Sequence, residues 1–286
     1  MTNEEMLRLI ALPLPALRRR ARVPFRTLPS IPAVLDDMAD AILAEVRAGA
    51  HSGRPVRLIL PVGPVAHYRR VVEVSNREGL SWRGVHIFAM DEFLDWEGRP
   101  VPESHPLSFT GFLRRELIGR LDRSLRPPAR QLVVPHPFRI DEASERIRAA
   151  GGIDCCFGGI GYHGHIAFNE PPLSRWGRVS VADLRQSRTR VLTLGDDSIL
   201  VQSIGSAGGC SAAIPPMAVT LGMRDILSSR RIRLYCAGGE RHRTIFRVTV
   251  AGRVGIEHPS TLVQGHPDAE VVIDAASAEP VRPGLR

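Results

Sequence analysis

The sequence predicts an α/β protein built on a doubly wound, mostly parallel sheet with helices on both faces. Three observations predict this class: apolar runs of strand length alternate with segments of helical period, several runs stop at glycine, proline or acidic residues, and the runs are continuous, as in strands buried on both faces. The predicted architecture is therefore Rossmann-like. Since no linker separates the elements, we predict one α/β domain over residues 31–286 after an N-terminal extension, residues 1–30.

Each element follows from its local pattern. Residues 1–30 are rich in Pro and Arg and predict an extension with one short helix. Apolar runs predict strands at 56–60, 85–90, 131–134, 153–157, 190–194, 217–221, 232–236 and 271–274. Helices are predicted at 31–46, 66–74, 108–121, 141–150, 223–228 and 240–250. Apolar residues recur at helical spacing in 31–46 and lie on one side of 108–121, and the first turn of 141–150 is acidic, which favours a helix start.

Composition excludes several function classes. The formal net charge is +8, and all 38 basic residues are Arg, because the chain contains no Lys. No Schiff-base lysine, pyridoxal-phosphate anchor or P-loop lysine can exist here. The positive charge would fit a nucleic-acid partner, but the Arg residues are scattered and aromatic residues make up only 5%. We therefore predict no nucleic-acid binding, whereas a small anionic substrate remains compatible.

The cysteine pattern and the hydropathy of the chain indicate its cellular compartment. The four cysteines, Cys155, Cys156, Cys210 and Cys236, include no C-x-x-C pair. Reduced core thiols are the favoured interpretation, which predicts a cytoplasmic protein. No apolar stretch reaches the roughly 18 residues of a membrane span, and the N-terminal charge order is wrong for a secretory signal.

Four segments follow predicted strands at the edge where ligands bind in open α/β sheets. They are residues 62–64, residues 91–92, the glycine- and histidine-rich loop 158–172, and residues 238–241. Because the carboxyl ends of parallel strands meet at one edge, we expect all four to converge on a single pocket. In particular, we expect the carboxylate of Asp91 and the imidazole of His165 to face each other across it.

The residue types in these segments indicate acid–base chemistry. Asp91 ends an apolar strand, where burial would raise its pKa and make it a suitable general base; a helix N-cap or a partner for Arg is an equally weighted alternative. Adjacent Glu92 would point to the opposite face. His165 lies in a glycine-rich turn with Glu170 nearby, and a carboxylate fixes the tautomer of a histidine. Arg241 at a helix start can bind an anion, although a solvated Arg is the simpler interpretation.

Three motifs resemble those of the glucosamine-6-phosphate deaminase (isomerase) family, whose wider group includes the 6-phosphogluconolactonases. They are Phe88–Phe93 (FAMDEF), His105–Phe109 (HPLSF) and Gly158–Pro171 (GGIGYHGHIAFNEP). The resemblance implies an enzyme that opens an amino-sugar phosphate ring, shifts a proton between C2 and C1 and releases ammonia, without a metal or organic cofactor. It also implies a homo-oligomer.

Site roles are implied by the same resemblance. Asp91 would move the proton, His165 would serve ring opening, and Glu170 would orient or charge-balance His165. The backbones of Gly63 and Gly159 would approach the sugar. Arg241 falls where the family has a phosphate-binding Lys.

Two departures from the family pattern predict an altered substrate. His163 stands where the family has Asp, so the negative partner of the following His165 is absent. We therefore expect His163 to act in the catalytic site as a neighbour that retunes His165 and leaves it less basic. Pro61–Val65 replaces a hydroxyl-lined phosphate loop and is about two residues shorter, so both hydroxyls are gone. Losing several charge-assisted hydrogen bonds, each worth roughly 1.5–3 kcal/mol, would weaken binding of a sugar 6-phosphate. We therefore expect an unphosphorylated amino sugar, or a sugar bearing another anion.

Three alternatives remain open at this stage. His163 and His165 with Glu170 have the ligand types and spacing of a metal site. Hydrolysis of a sugar lactone, as in the sister branch, would need His165 to activate water. A non-catalytic sugar-binding relative would also fit the changes at His163 and in the phosphate loop.

Overall fold

A seven-stranded parallel sheet forms the centre of the computed structural model, which describes residues 1–172, 177–282 and 284. Its strands stand in the order β1-β10-β9-β6-β2-β3-β5. A second, three-stranded antiparallel sheet has the order β4-β8-β7. The strands are β1 Phe25–Leu28, β2 Val56–Leu60, β3 Val85–Ala89, β4 Asp91–Leu94, β5 Leu132–Val133, β6 Cys155–Gly159, β7 Arg190–Thr193, β8 Met217–Thr220, β9 Arg231–Cys236 and β10 Ala269–Asp274. The predicted α/β class is therefore confirmed.

Helices cover both faces of the large sheet. They are α1 Asn3–Ile10, α2 Leu14–Arg20, α3 Ile31–Ser52, α4 His67–Glu78, α5 Phe109–Phe112, α6 Glu142–Ala149, α7 Val181–Arg185, α8 Asp196–Ser206, α9 Met223–Leu227, α10 Arg243–Ala251 and α11 Ala275–Ala278. Alternate side chains of each strand enter opposite cores. Ile59 of β2 packs on the side of α1, α6 and α10, whereas Leu58 and Leu60 pack on the side of α3 and α4.

Strand order places a ligand crevice between β2 and β6. From β2 the chain proceeds through β3 to β5 in one direction, and from β6 through β9 to β10 in the other. Such a reversal of strand order opens a crevice beyond the carboxyl ends of the two central strands. The residues that follow β2 and β6 are Pro61–Pro64 and the glycine- and histidine-rich loop, so both flank this crevice.

Several elements differ from the sequence-based expectation. Residues 1–30, expected as an extension, supply α1, α2 and the edge strand β1, and they bury Leu9, Leu17 and Phe25 in the core. The predicted helix 108–121 is α5 followed by a π-helical turn, Leu113–Leu117, and a short 3-10 turn. The predicted strands at 190–194 and 217–221 lie in the small antiparallel sheet, because β8 pairs with β4 and β7. Residues 283, 285 and 286 of the predicted domain lie outside the described residues.

No helix among the described residues has both the length and the apolar character that crossing a bilayer requires.

Candidate active site

A cavity of about 220 Å³ lies at the carboxyl ends of β2 and β6. Three of the four predicted segments contribute the expected side chains or backbone to its wall, including Gly63, Asp91, Gly159 and His165. The carboxylate ending one strand and the imidazole beyond another therefore share one cavity. From the fourth segment, Arg241 lines an adjoining cavity of about 600 Å³, and the neighbouring His242 lines both.

Asp91 is held where the two sheets meet. It begins β4, where it pairs with Thr220 of β8, and the preceding Met90 bonds through its backbone to Leu60 and Leu221. The side chain is 7% exposed. Burial, and next the charge of Glu92, raise the pKa of Asp91 well above its usual value, while the backbone N–H of Phe168, which donates to the hydroxyl of Thr220, opposes the rise. A carboxyl with a raised pKa can accept a proton from carbon and return it.

Glu92 takes the structural role that was an alternative for Asp91. It is 2% exposed, and its carboxylate accepts hydrogen bonds from the backbone N–H groups of Phe93, Phe109 and Thr110 and from the hydroxyl of Ser108. These donors include the first N–H groups of α5, whose orphan donors a carboxylate satisfies. Glu92 thus fixes the start of α5, and Asp91 alone of the two faces the cavity.

His165 is packed against a glycine. A Cβ at Gly161 would lie 1.9 Å from Nε2 of His165, so only glycine leaves room for the imidazole. The turn is closed by a hydrogen bond from the N–H of Gly161 to the carbonyl of His165, 2.9 Å, and Gly164 has a φ of +88°. Burial, and next His163, lower the pKa of His165 to about 3, so the ring is neutral at physiological pH.

The other ring nitrogen of His165 meets His163. Nδ1 of His165 and Nε2 of His163 are 3.2 Å apart, with one proton available to lie between them. One carboxylate oxygen of Glu170 lies within 4.8 Å of a ring nitrogen of each histidine. Oε2 of Glu170 accepts the N–H of Gly195 at 2.8 Å. Glu170 therefore stands behind the two histidines, and it is not among the residues lining the cavity.

The loop after β2 and the loop after β6 touch each other. A Cβ at Gly159 would lie 3.1 Å from the carbonyl oxygen of Gly63, so any side chain at position 159 would crowd the contact between the two loops. The buried hydroxyl of Tyr68 donates to the carbonyl of Pro61 at 2.6 Å and fixes the base of the first loop. Pro61, Val62 and Pro64 line the cavity without a side-chain donor, and the two prolines have no backbone N–H.

Sequence reasoning missed several wall residues. His242 is half-buried, its pKa is lowered to about 4 by desolvation and next by Arg241, and it lies one position beyond the predicted Arg241. Gln202 comes from α8, a helix that the sequence did not predict.

Asn169 anchors the histidine loop: its amide donates to the carbonyls of Ile166 and Leu221 and accepts from Arg190. The Asn within the Phe-Asn-Glu motif was the available signal for this anchor.

The cavity wall carries little charge. Among the described residues that line it, Asp91 is the only one with a carboxylate and none is an arginine. The two cavities share Gly161, His165, Gln202, Ala237 and His242. Arg241 lies beyond this shared wall, so it can reach an anion only if that anion extends into the adjoining cavity.

Comparisons with known proteins agree with the fold and the motifs. No family model matches the chain. The chain is 35% identical over 220 residues to a glucosamine-6-phosphate deaminase of Shewanella loihica, covering 75% of this chain and 74% of the relative. It is 31% identical over 253 residues to one of Porphyromonas gingivalis, covering 86% and 89% respectively.

Solved structures show the same fold. A monomeric glucosamine-6-phosphate deaminase superposes with a TM-score of 0.75 at 21% identity, covering 89% of this chain and 98% of that chain. The 6-phosphogluconolactonase of Thermotoga maritima superposes with a TM-score of 0.60 at 16% identity, covering 88% and 99%.

Proposed function

Because the chain belongs to the glucosamine-6-phosphate deaminase family, a family of carbohydrate deaminase/isomerase enzymes, we propose that it deaminates an amino sugar other than the usual 6-phosphate. The substrate is an unphosphorylated amino sugar or one bearing a different anion. The observation that carries this proposal is a single cavity containing Asp91 and His165 beside a loop that offers no side-chain donor to a phosphate. We further propose a cytoplasmic enzyme that works without an organic cofactor and forms a homo-oligomer.

Asp91 and His165 divide the proton transfers between them. The neutral imidazole of His165 handles the proton of the ring oxygen as the sugar opens. Asp91 then removes the proton at C2 and delivers it to C1. The nitrogen at C2 becomes an imine, and addition of water releases ammonia and leaves a ketose.

The loop after β2 disfavours a phosphate at C6. The two missing hydroxyls would together supply about 3–6 kcal/mol, which corresponds to a factor of about 10²–10⁴ in affinity. Since Pro64 also lacks an N–H, backbone donors cannot replace them all. Arg241, on the adjoining cavity, can bind an anion that lies farther from the sugar ring than a 6-phosphate.

A turnover assay tests the proposal directly. The protein is incubated with glucosamine, glucosamine 6-phosphate and amino sugars carrying other anions, and ammonia and ketose are quantified together. We expect both products in equal amounts, with a higher kcat/KM for a sugar lacking the 6-phosphate. Asp91→Asn should lower kcat by about 10²–10⁴, whereas the matched surface variant Asp36→Asn should leave it unchanged.

Three other outcomes of the assay would each refute one part of the proposal. Turnover of glucosamine 6-phosphate with the highest kcat/KM would refute the altered substrate. Release of acid from a sugar lactone without ammonia would replace deamination by lactone hydrolysis. Saturable sugar binding without turnover, unchanged by Asp91→Asn, would make the protein a sugar-binding relative.

A further inference from the structure

We propose that His163, His165 and Glu170 form a binding site for one divalent transition-metal ion of the zinc type. The family motif has Asp at position 163, so the pair of imidazoles is a departure of this chain from that motif. The three side chains lie in one loop after β6 and offer two imidazole nitrogens and one carboxylate oxygen, all within 4.8 Å of one another. Two histidines and one glutamate are a ligand set that Zn²⁺ accepts, leaving a fourth position for water.

The two histidines are already spaced as ligands of one ion. A metal–nitrogen bond of 2.0–2.1 Å and an angle between 90° and 110° put two ligating nitrogens about 2.9–3.4 Å apart. Nδ1 of His165 and Nε2 of His163 are 3.2 Å apart. The distance between the two nitrogens therefore suits either a shared proton or a shared metal ion. The carboxylate of Glu170 favours the metal ion.

Glu170 supplies the second observation. Its Oε2 accepts the N–H of Gly195, whereas its Oε1 is buried and has no hydrogen-bond partner among the residues that the structure describes. A buried carboxylate oxygen without a partner is unfavourable, and a cation offsets this. The bond from Gly195 would orient the ligating carboxylate, as outer partners of metal sites do. The three ligand atoms lie within 4.8 Å of one another, so metal binding requires the Glu170 carboxylate to move closer to the two histidines.

A metal ion here would set the proton on His165. Binding through Nδ1 leaves the single ring proton on Nε2, the atom that lies against Gly161 in the wall of the cavity. His165 would then be a fixed hydrogen-bond donor toward the sugar. The ion itself would sit behind His165 and would not touch the substrate, so its role is to position the imidazole. It thereby compensates for the missing Asp at position 163.

Metal binding is measured without any sugar, so the result is independent of the proposed deamination. The untagged protein is stripped with a chelator, dialysed and titrated with Zn²⁺ by calorimetry and with Co²⁺ by visible absorption. We expect one equivalent to bind and to produce the absorption bands of nitrogen- and oxygen-bound Co²⁺. Zn²⁺ should also raise the Tm of the wild-type protein.

Variants assign the ligands. His163→Asn and Glu170→Gln, which each replace a ligand by a neutral amide, should each weaken Zn²⁺ binding about 100-fold. The surface variant His51→Asn should bind like wild type. The Tm of each metal-free variant separates loss of a ligand from loss of folding, because a folded variant with no Zn²⁺-induced shift has lost only the site. Failure of the wild type to bind one equivalent, or unchanged binding by folded His163→Asn, would overturn the proposal.

Discussion

Asp91→Asn should stabilise the folded protein while removing its proton transfer. Burial and the charge of Glu92 raise the pKa of Asp91 in the folded state. A carboxyl with a raised folded-state pKa holds its proton more tightly in the folded chain than in the unfolded chain. Its contribution to stability is therefore fully present below the unfolded pKa of about 3.9 and is lost as pH rises through the folded pKa.

The size of the effect follows from this linkage. Asparagine has nearly the shape of aspartate and carries no charge. At neutral pH the variant should gain about 1.4 kcal/mol of unfolding free energy for each unit by which the pKa of Asp91 is raised. The gain should shrink toward zero below about pH 4. Loss of a general base should lower kcat by about 10²–10⁴.

Urea unfolding at several pH values between about 4 and 8 measures the first effect, with Asp36→Asn as the control. Exchange of the C2 proton of a turned-over sugar in deuterated water measures the second. The reasoning would be refuted if Asp91→Asn were less stable than wild type at neutral pH, or if the difference in stability did not change with pH. Either result would mean that the carboxylate is charged and well partnered in the folded state.

Three further substitutions test the two loops. Gly161→Ala should lower kcat/KM about 100-fold, because the new Cβ must displace the ring of His165; wild-type kinetics would contradict the packing. Tyr68→Phe removes the hydroxyl that donates to Pro61 and should reduce the unfolding free energy by about 1–3 kcal/mol in urea, whereas a loss under about 0.5 kcal/mol would not fit. Val62→Ser returns one hydroxyl to the loop and should lower the KM for glucosamine 6-phosphate about 10–100-fold; an unchanged KM would mean that the loop does not approach the phosphate.

The sequence predicted the site because parallel strands bring their carboxyl ends to one edge. Asp91 and His165 each follow an apolar strand, so their meeting required only the correct fold class. The small sheet was not predictable in the same way. The pairing of Asp91 with Thr220 joins distant parts of the chain, and local patterns do not encode such a register.

Two residues that line the cavity, Gln202 and His242, lie in segments whose structure the local sequence patterns did not predict. Gln202 lies on α8, whose apolar residues Leu200 and Ile204 are largely exposed, so no amphipathic stripe marks the helix. Helix α10 was predicted to begin at residue 240, but a 3-10 turn, Gly239–His242, precedes it. A 3-10 turn has fewer residues per turn than an α-helix, which changes the side chain that faces the cavity.

The edge of the large sheet has a consequence for how the chain is made. Strand β1 pairs only with β10 in the described sheet, and the ion pair from Arg26 to Glu270 spans 244 positions. During synthesis, β1 therefore stays unpaired and its apolar Phe25 stays exposed until β10 has left the ribosome. Such distant pairings slow folding. Nascent chains stalled before residue 269 should remain open to proteolysis near residue 25, and protection should appear only once β10 has emerged.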